Sequence, residues 1–250
     1  MFCDLLKTIS MLTEKLDLCE GVLIMAKSKI IKELANNEIT MEVALNRLLI
    51  IASDLNNDNL ADWAATELHG YSKDMELPAY RKKKSMRFVY SGINGGFQVT
   101  NLPFTYYSII SEHDEDAFDV PIMDSINTLQ GFLDNSDSQS YCRDFTYLSG
   151  EVYKKTGISC TYILQQVPLN LLQNILSEIK TRLLRVLIKL DKEYGCLDDL
   201  DVDISAKTPE EIAEINKTVN NYIYIDNSIK VGDKNKIESS EILGGGEING

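Results

Sequence analysis

Two histidines, five cysteines and scattered carboxylates are the groups in this 250-residue chain that could do nucleophilic, acid–base or metal chemistry. His113 stands in S-E-H-D-E-D-A-F-D, where Glu112, Asp114, Glu115 and Asp116 could offer oxygen ligands to a divalent ion. The run lacks the spacing and the glycine of a calcium hand, so a solvated acidic loop is the simpler reading. His69 stands in E-L-H-G, where a protonated imidazole suits the negative end of a helix that Gly70 closes. Capping is preferred there over a catalytic role. Cys3, Cys19, Cys142, Cys160 and Cys196 form no C-x-x-C pair, which with two histidines makes a structural zinc site improbable. No serine sits in a G-x-S-x-G elbow. The S-G-I-N-G-G segment at 91–96 lacks the Lys-Ser/Thr of a phosphate loop and reads as a turn. No catalytic residue, metal ligand or cofactor is assigned. Carboxylates brought together from remote positions are the one route to a metal-dependent nuclease centre that spacing leaves open.

Arg81, Lys82, Lys83, Lys84 and Arg87 form the one concentrated basic run, flanked by Tyr80 and Phe88. They are candidate binding residues for a phosphate backbone or an acidic partner surface. The alternative is a solvated hairpin entrance whose lysines discourage edge-to-edge pairing. Tyr106, Tyr107, Tyr141, Tyr147, Tyr153 and Tyr162 enrich the middle of the chain, as a recognition surface or as half-buried packing.

These residues need elements to position them. Residues 1–36 read as helical, with Leu5, Ile9, Leu12 and Leu16 on one stripe and a break at Gly21. Thr40 is placed to cap a helix from Met41, whose apolar face is Met41, Leu45, Leu48, Leu49, Ala52 and Leu55. After Asn56 and Asn57, Asp58 is read as the cap of a second helix carrying Leu60, Trp63, Ala64 and Leu68. So short a turn predicts an antiparallel pair. Alternation at 86–91 and 97–102 around three glycines predicts a β-hairpin. Residues 122–134 read as a helix capped by Asp124 or Ser125, and Cys160–Val167 as a strand. Pro168 and Asn170 open the longest helix, with Leu172, Leu176, Ile179, Leu183, Leu187 and Leu190 on its core face.

The wording of residues 51–80 adds to this periodicity. An I-A-S-D-L-N-N-D turn, an L-A-D-W-A-A-T-E-L-H-G-Y helix and an L-P-A-Y segment resemble the start of the AbiTii domain, named after a protein of a bacterial abortive-infection system against phage. The helix E-I-K-T-R-L-L-R-V-L-I-K-L-D-K-E-Y-G at 178–195 is similar to the closing helix of that domain. The resemblance brackets most of residues 30–195 and implies phage defence as a role. It carries no catalytic motif to transfer.

Composition sets the remaining bounds. A hydrophobic content of 44% is ordinary for a globular protein, and a net charge of −13 argues against nucleic-acid binding by the whole surface. The cysteine pattern and the lack of a secretory segment predict the cytoplasm. No apolar run approaches the roughly eighteen residues needed to span a bilayer. Asp191 to Gly250 holds fourteen acidic and six basic residues, so most of the excess charge lies in the last quarter. Thr208, Pro209 and Glu211 start a short exposed helix there, ending near Thr218. Beyond it Ile223, Ile225, Ile229, Val231, Ile237 and Ile242 alternate with turn residues and read as short strands, satisfied either as an edge extension or by other copies of the chain.

The expectation is an α+β protein: a mainly helical domain over 1–195 with a small antiparallel hairpin or sheet, an acidic linker with a short helix over 196–220, and a β-rich tail over 221–250. Its role is antiviral defence by partner binding and self-assembly, as a homo-oligomer meeting a host or phage protein and no membrane. The alternative is a toxin-like effector such as a nuclease.

Overall fold

The computed structural model describes residues 27–135, 140–200 and 202–224. It opens on three helices, α1 (Lys29–Ala35), α2 (Met41–Asp54) and α3 (Asp58–His69). The Thr40 side chain caps α2 as expected, accepting from the Val43 amide at 3.2 Å. The cap of α3 differs from expectation. Asn57, not Asp58, accepts from the Leu60 amide at 3.2 Å, and Asp58 becomes the first helical residue, where its charge still suits the helix dipole. Asn56, at φ 50°, makes the left-handed step that turns the chain between α2 and α3.

A single 3-10 turn at Ala79–Arg81 leads into β1 (Lys82–Lys84), which pairs antiparallel with β4 (Asp119–Pro121). The expected hairpin is β2 (Phe88–Asn94) and β3 (Phe97–Pro103). It belongs to a four-stranded antiparallel sheet, ordered β3-β2-β6-β5, with β5 (Ser140–Asp144) and β6 (Ser159–Pro168). Helix α4 (Tyr107–His113), helix α5 (Ile126–Asp134, capped by Ser125) and helix α6 (Ser149–Thr156) complete the middle of the chain.

Gly92 shows why the sheet has this local shape. Its φ is 156°, and a Cβ there would lie 2.0 Å from the Ser159 carbonyl oxygen, so β2 and β6 approach this closely only at a glycine.

The longest helix, α7 (Leu169–Tyr194), buries Leu172, Leu176, Ile179, Leu183, Leu187 and Leu190, the face that periodicity predicts. Helix α8 (Pro209–Tyr224) corrects the sequence reading. Its start is the expected reciprocal cap: the Glu211 amide donates to Thr208 Oγ1 at 3.2 Å and the Thr208 amide to Glu211 Oε2 at 2.8 Å. It runs six residues past Thr218, however, and is not an exposed helix. Ile215, Val219 and Ile223, spaced by four, enter the main core, so the helical period wins over the two-residue alternation of Ile223 and Ile225. Residues 209–224 thus pack on the same core as α2, α3, α5 and α7. Ile225, Ile229, Val231, Ile237 and Ile242 lie outside the described residues, as do Leu5, Ile9, Leu12, Leu16 and Gly21.

Two hydrophobic clusters result. The larger joins the helices, and the smaller, with Phe88, Tyr90, Phe104, Ile110, Phe145 and Ile163, lies between the sheet and the helices α4 and α6.

Candidate functional site

Trp63 and Glu67 are one turn apart on α3, and Tyr71 follows a further four residues on, past the helix end. Gly70 makes that exit possible: its φ is 91°, and a Cβ there would sit 2.8 Å from the Met123 carbonyl oxygen. The Tyr71 amide then donates to the same carbonyl at 2.7 Å. Tyr80 and Arg81 arrive from the 3-10 turn on the other side.

These side chains close into one buried network. Trp63 Nε1 donates to the Tyr80 hydroxyl at 2.8 Å, and Tyr80 donates in turn to Glu67 Oε1 at 2.7 Å. The Tyr71 hydroxyl donates to the same Oε1 at 2.6 Å, and Arg81 Nη2 pairs with Glu67 Oε2. Arg81 Nη1 reaches the carbonyl oxygens of Asp124 at 2.6 Å and Ile122 at 3.3 Å. The Arg81 guanidinium lies 5.1 Å from the centre of the Tyr71 ring, and that of Arg182 lies 4.7 Å from the Tyr80 ring. Burial, and then the Glu67 charge, push the pKa of both Tyr71 and Tyr80 far up, so each stays a neutral donor. The network is a structural clamp with its carboxylate already satisfied by three donors.

Above it lies an open cleft of about 570 Å³. Trp63, Tyr71, Met75 and Pro78 give it apolar walls, Asp62, Thr66, His69 and Glu76 a polar rim, and Tyr224 closes the end contributed by α8. The Tyr224 hydroxyl donates to the Asn59 carbonyl at 3.3 Å, which ties α8 to α3 across the cleft end. His69 has the expected place in the last turn, with Nδ1 2.8 Å from the Ala65 carbonyl oxygen. A carbonyl only accepts, so Nδ1 carries the proton.

The basic run is not one patch. Arg81 is fully buried in the network and is unavailable to a partner. Lys84 is exposed and pairs with Asp119 at 2.7 Å across the β1–β4 ladder; Lys82 and Arg87 are exposed, and Lys83 is half-buried. An apolar helix–turn interior needs a counter-charge for Glu67, and Arg81 supplies it, leaving the rest of the run to the ribbon.

The acidic stretch around His113 is held by ion pairs. Glu112 pairs with Lys155, and Asp114 lies 3.9 Å from Arg143. Among the described residues no group of three His, Cys, Asp or Glu side chains could hold a metal ion. Gly95 and Gly96 form the hairpin turn, as the glycine-rich segment predicts. Of the tyrosines, Tyr141 is packed, edge-on to Phe132 and donating to Asp124 at 2.8 Å, while Tyr147 and Tyr153 are exposed. Sequence reasoning missed Glu67, Tyr71 and Tyr80 as one unit, although all three sit in the two segments whose wording carries the family resemblance.

A family model, AbiTii, matches residues 28–218. The chain belongs to the AbiTii family. The AbiTii match spans every described helix and strand, apart from the last residues of α8, and extends past the expected boundary at residue 195. Membership suggests abortive infection, a bacterial defence against phage. No curated protein and no solved structure matches the chain. No helix among the described residues is long and apolar enough to cross a membrane.

Proposed function

We propose that this AbiTii protein acts in phage defence by binding a protein partner in the cleft beside Trp63 and Tyr71, and by self-assembly. One observation carries the reading. The segments that mark the family, L-A-D-W-A-A-T-E-L-H-G-Y and L-P-A-Y, meet in a single hydrogen-bonded network, and two of its members, Trp63 and Tyr71, line an open cleft. Lining side chains already held by hydrogen bonds, as Trp63 and Tyr71 are, cost little to organise on binding. Cleft volume and mixed lining suit a ligand or an inserted side chain.

Charge selects the partner class. The rim carries Asp62 and Glu76, and the chain as a whole is at −13, so a phosphate backbone is repelled and a Lys- or Arg-bearing protein segment is attracted. A basic side chain would lay its aliphatic stem on the aromatic walls and its charge at the rim.

The test is phage challenge of bacteria expressing the wild type or Ala65→Trp, which fills the cleft from the partly exposed face of α3. Protection is expected to fall with the substitution while protein level and melting temperature hold. Full protection by Ala65→Trp overturns the cleft reading.

Self-assembly belongs to the same proposal. Ile223, one of the residues the sequence offers for it, is buried in its own chain and gives nothing to a second copy. Light scattering on the full chain is expected to give more than one monomer mass, and a monomer at every concentration overturns this part.

A further inference from the structure

From Phe88 to Ser111 the chain carries no Asp, Glu, Lys, Arg or His, a gap of twenty-four residues in a protein that is 25% charged. The fold turns that gap into β2, β3 and the start of α4, and among the described residues its outer part is uncovered. Phe97 is 78% exposed, Ile93 54% and Leu102 41%. β3 is an edge of the sheet and has no buried residue.

Edge strands are usually blunted by charges, prolines or bulges. β3 has no charge. It has a bulge, where Thr100 and Asn101 stand opposite Ser91, and Pro103 at its end. The regular, open part of the edge is therefore Phe97–Val99, next to the hairpin turn. On the adjoining sheet face Gln98, Thr100, Thr161 and Tyr162 line a shallow depression of about 610 Å³ with no ionised group.

We infer that the β2–β3 hairpin is a self-association surface, on which a second copy of this chain lies antiparallel along β3 and covers Phe97. Charge chooses a second copy as the occupant. Two chains at −13 repel where their carboxylates meet, and at the hairpin they approach with no like-charge cost; the other long uncharged run, 156–177, lies mainly in the inner strand β6 and the start of α7. A strand paired antiparallel with its own copy has two-fold symmetry, so the contact closes as a dimer and does not propagate. The inference rests on the self-assembly part of the proposed function and moves the contact from the residues beyond Tyr224 to the hairpin.

Sedimentation and light scattering of the full-length protein test it. Phe97→Glu with Leu102→Glu puts like charges along the β3 edge of both copies and is expected to raise the dimer dissociation constant by at least ~30-fold. Met86→Glu with Tyr153→Glu adds the same charge at exposed positions outside the gap and is expected to leave the dimer unchanged. Gln98→Glu with Thr100→Glu touches no large apolar side chain and serves the same test should the first pair fail to fold. A dimer that survives both hairpin pairs and dissociates when 225–250 are removed overturns the hairpin and keeps self-assembly. A dimer that the Met86 and Tyr153 control pair dissociates equally overturns the hairpin assignment. A wild type that is monomeric throughout overturns both.

Discussion

The Arg81 guanidinium pairs with the Glu67 carboxylate at a point where neither side chain has any exposed surface, 0% for each. Tyr71 and Tyr80 supply the other donors to that carboxylate, and backbone carbonyls receive Arg81 Nη1. Removing one charge leaves the other uncompensated in the core. Glu67→Gln is expected to cost about 3–5 kcal/mol, and Glu67→Leu combined with Arg81→Leu less than the two single changes added together. In a domain of this size the single change lowers the melting temperature by roughly 6–20 °C. A shift of less than 2 °C for Glu67→Gln in a calorimetric scan would show that the pair is not a buried ion pair.

Asp191, near the end of α7, ties down the start of the described chain. It accepts from the Ser28 amide at 3.0 Å and from Lys27 Nζ at 3.1 Å, and Ser28 Oγ also bonds to it. Burial pushes the Asp191 carboxyl up, but these hydrogen bonds outweigh burial and hold it below the usual carboxylate range. A depressed folded-state pKa stabilises the fold above the unfolded value near ~3.9 and loses that contribution as pH falls through the folded one. Asp191→Asn is expected to cost about 1.5–3 kcal/mol at pH 7, with the deficit shrinking below about pH 4. Urea midpoints at pH 7, 5 and 3 check this, and a deficit that stays constant across the three contradicts it.

Glycine substitutions separate a close backbone approach from open space. Gly92→Ala forces its new carbon against the Ser159 carbonyl and is expected to destabilise by about 2–4 kcal/mol, breaking the β2–β6 register. Gly131, inside α5, has nothing within 4 Å of a built Cβ, so Gly131→Ala is expected to stabilise by about 0.4–1 kcal/mol. Denaturant midpoints of opposite sign are the expected result; the same sign for both would contradict the geometry.

What could be read in advance follows from how local each signal is. Thr40, Ser125 and the Thr208–Glu211 pair announce helix starts within four residues, and the leucine spacing of α7 announces its buried face. The hairpin is legible for the same reason: alternation and glycines are neighbours in sequence. β5 is not, because its inward residues are Tyr141 and Arg143, and Arg143 is accommodated by acceptors remote in sequence, Gln165 Oε1 at 3.1 Å on β6 and the Ala117 and Asp119 carbonyls at 3.3 Å. Glu67 looks like a solvated helix residue until Arg81 is brought beside it by the Pro78 turn. Fourteen residues separate that pair in sequence, and no local pattern encodes it. Arg81 reads as one of a run with the lysines after it for the converse reason: adjacency in sequence hides that one side chain of the run turns inward.

The end of α8 gives the sharpest contrast between alternation and packing. Ile223 is 0% exposed, and Arg182 Nη1 donates to the Tyr222 carbonyl at 3.0 Å and the Ile223 carbonyl at 3.3 Å, satisfying helix-end acceptors that would otherwise face the core. A chain ending after Tyr224 keeps all of this and is the reference. A chain ending after Asn220 loses Ile223 and both carbonyls. The buried isoleucine alone is worth about 2–5 kcal/mol, so the midpoint should drop clearly between the two truncations. Were Ile223 instead part of a strand serving other copies, the shorter chain would keep its monomer stability and lose only mass in light scattering. The two outcomes differ in which measurement moves, so one pair of truncations decides between a helix that completes the core and a strand that extends from it.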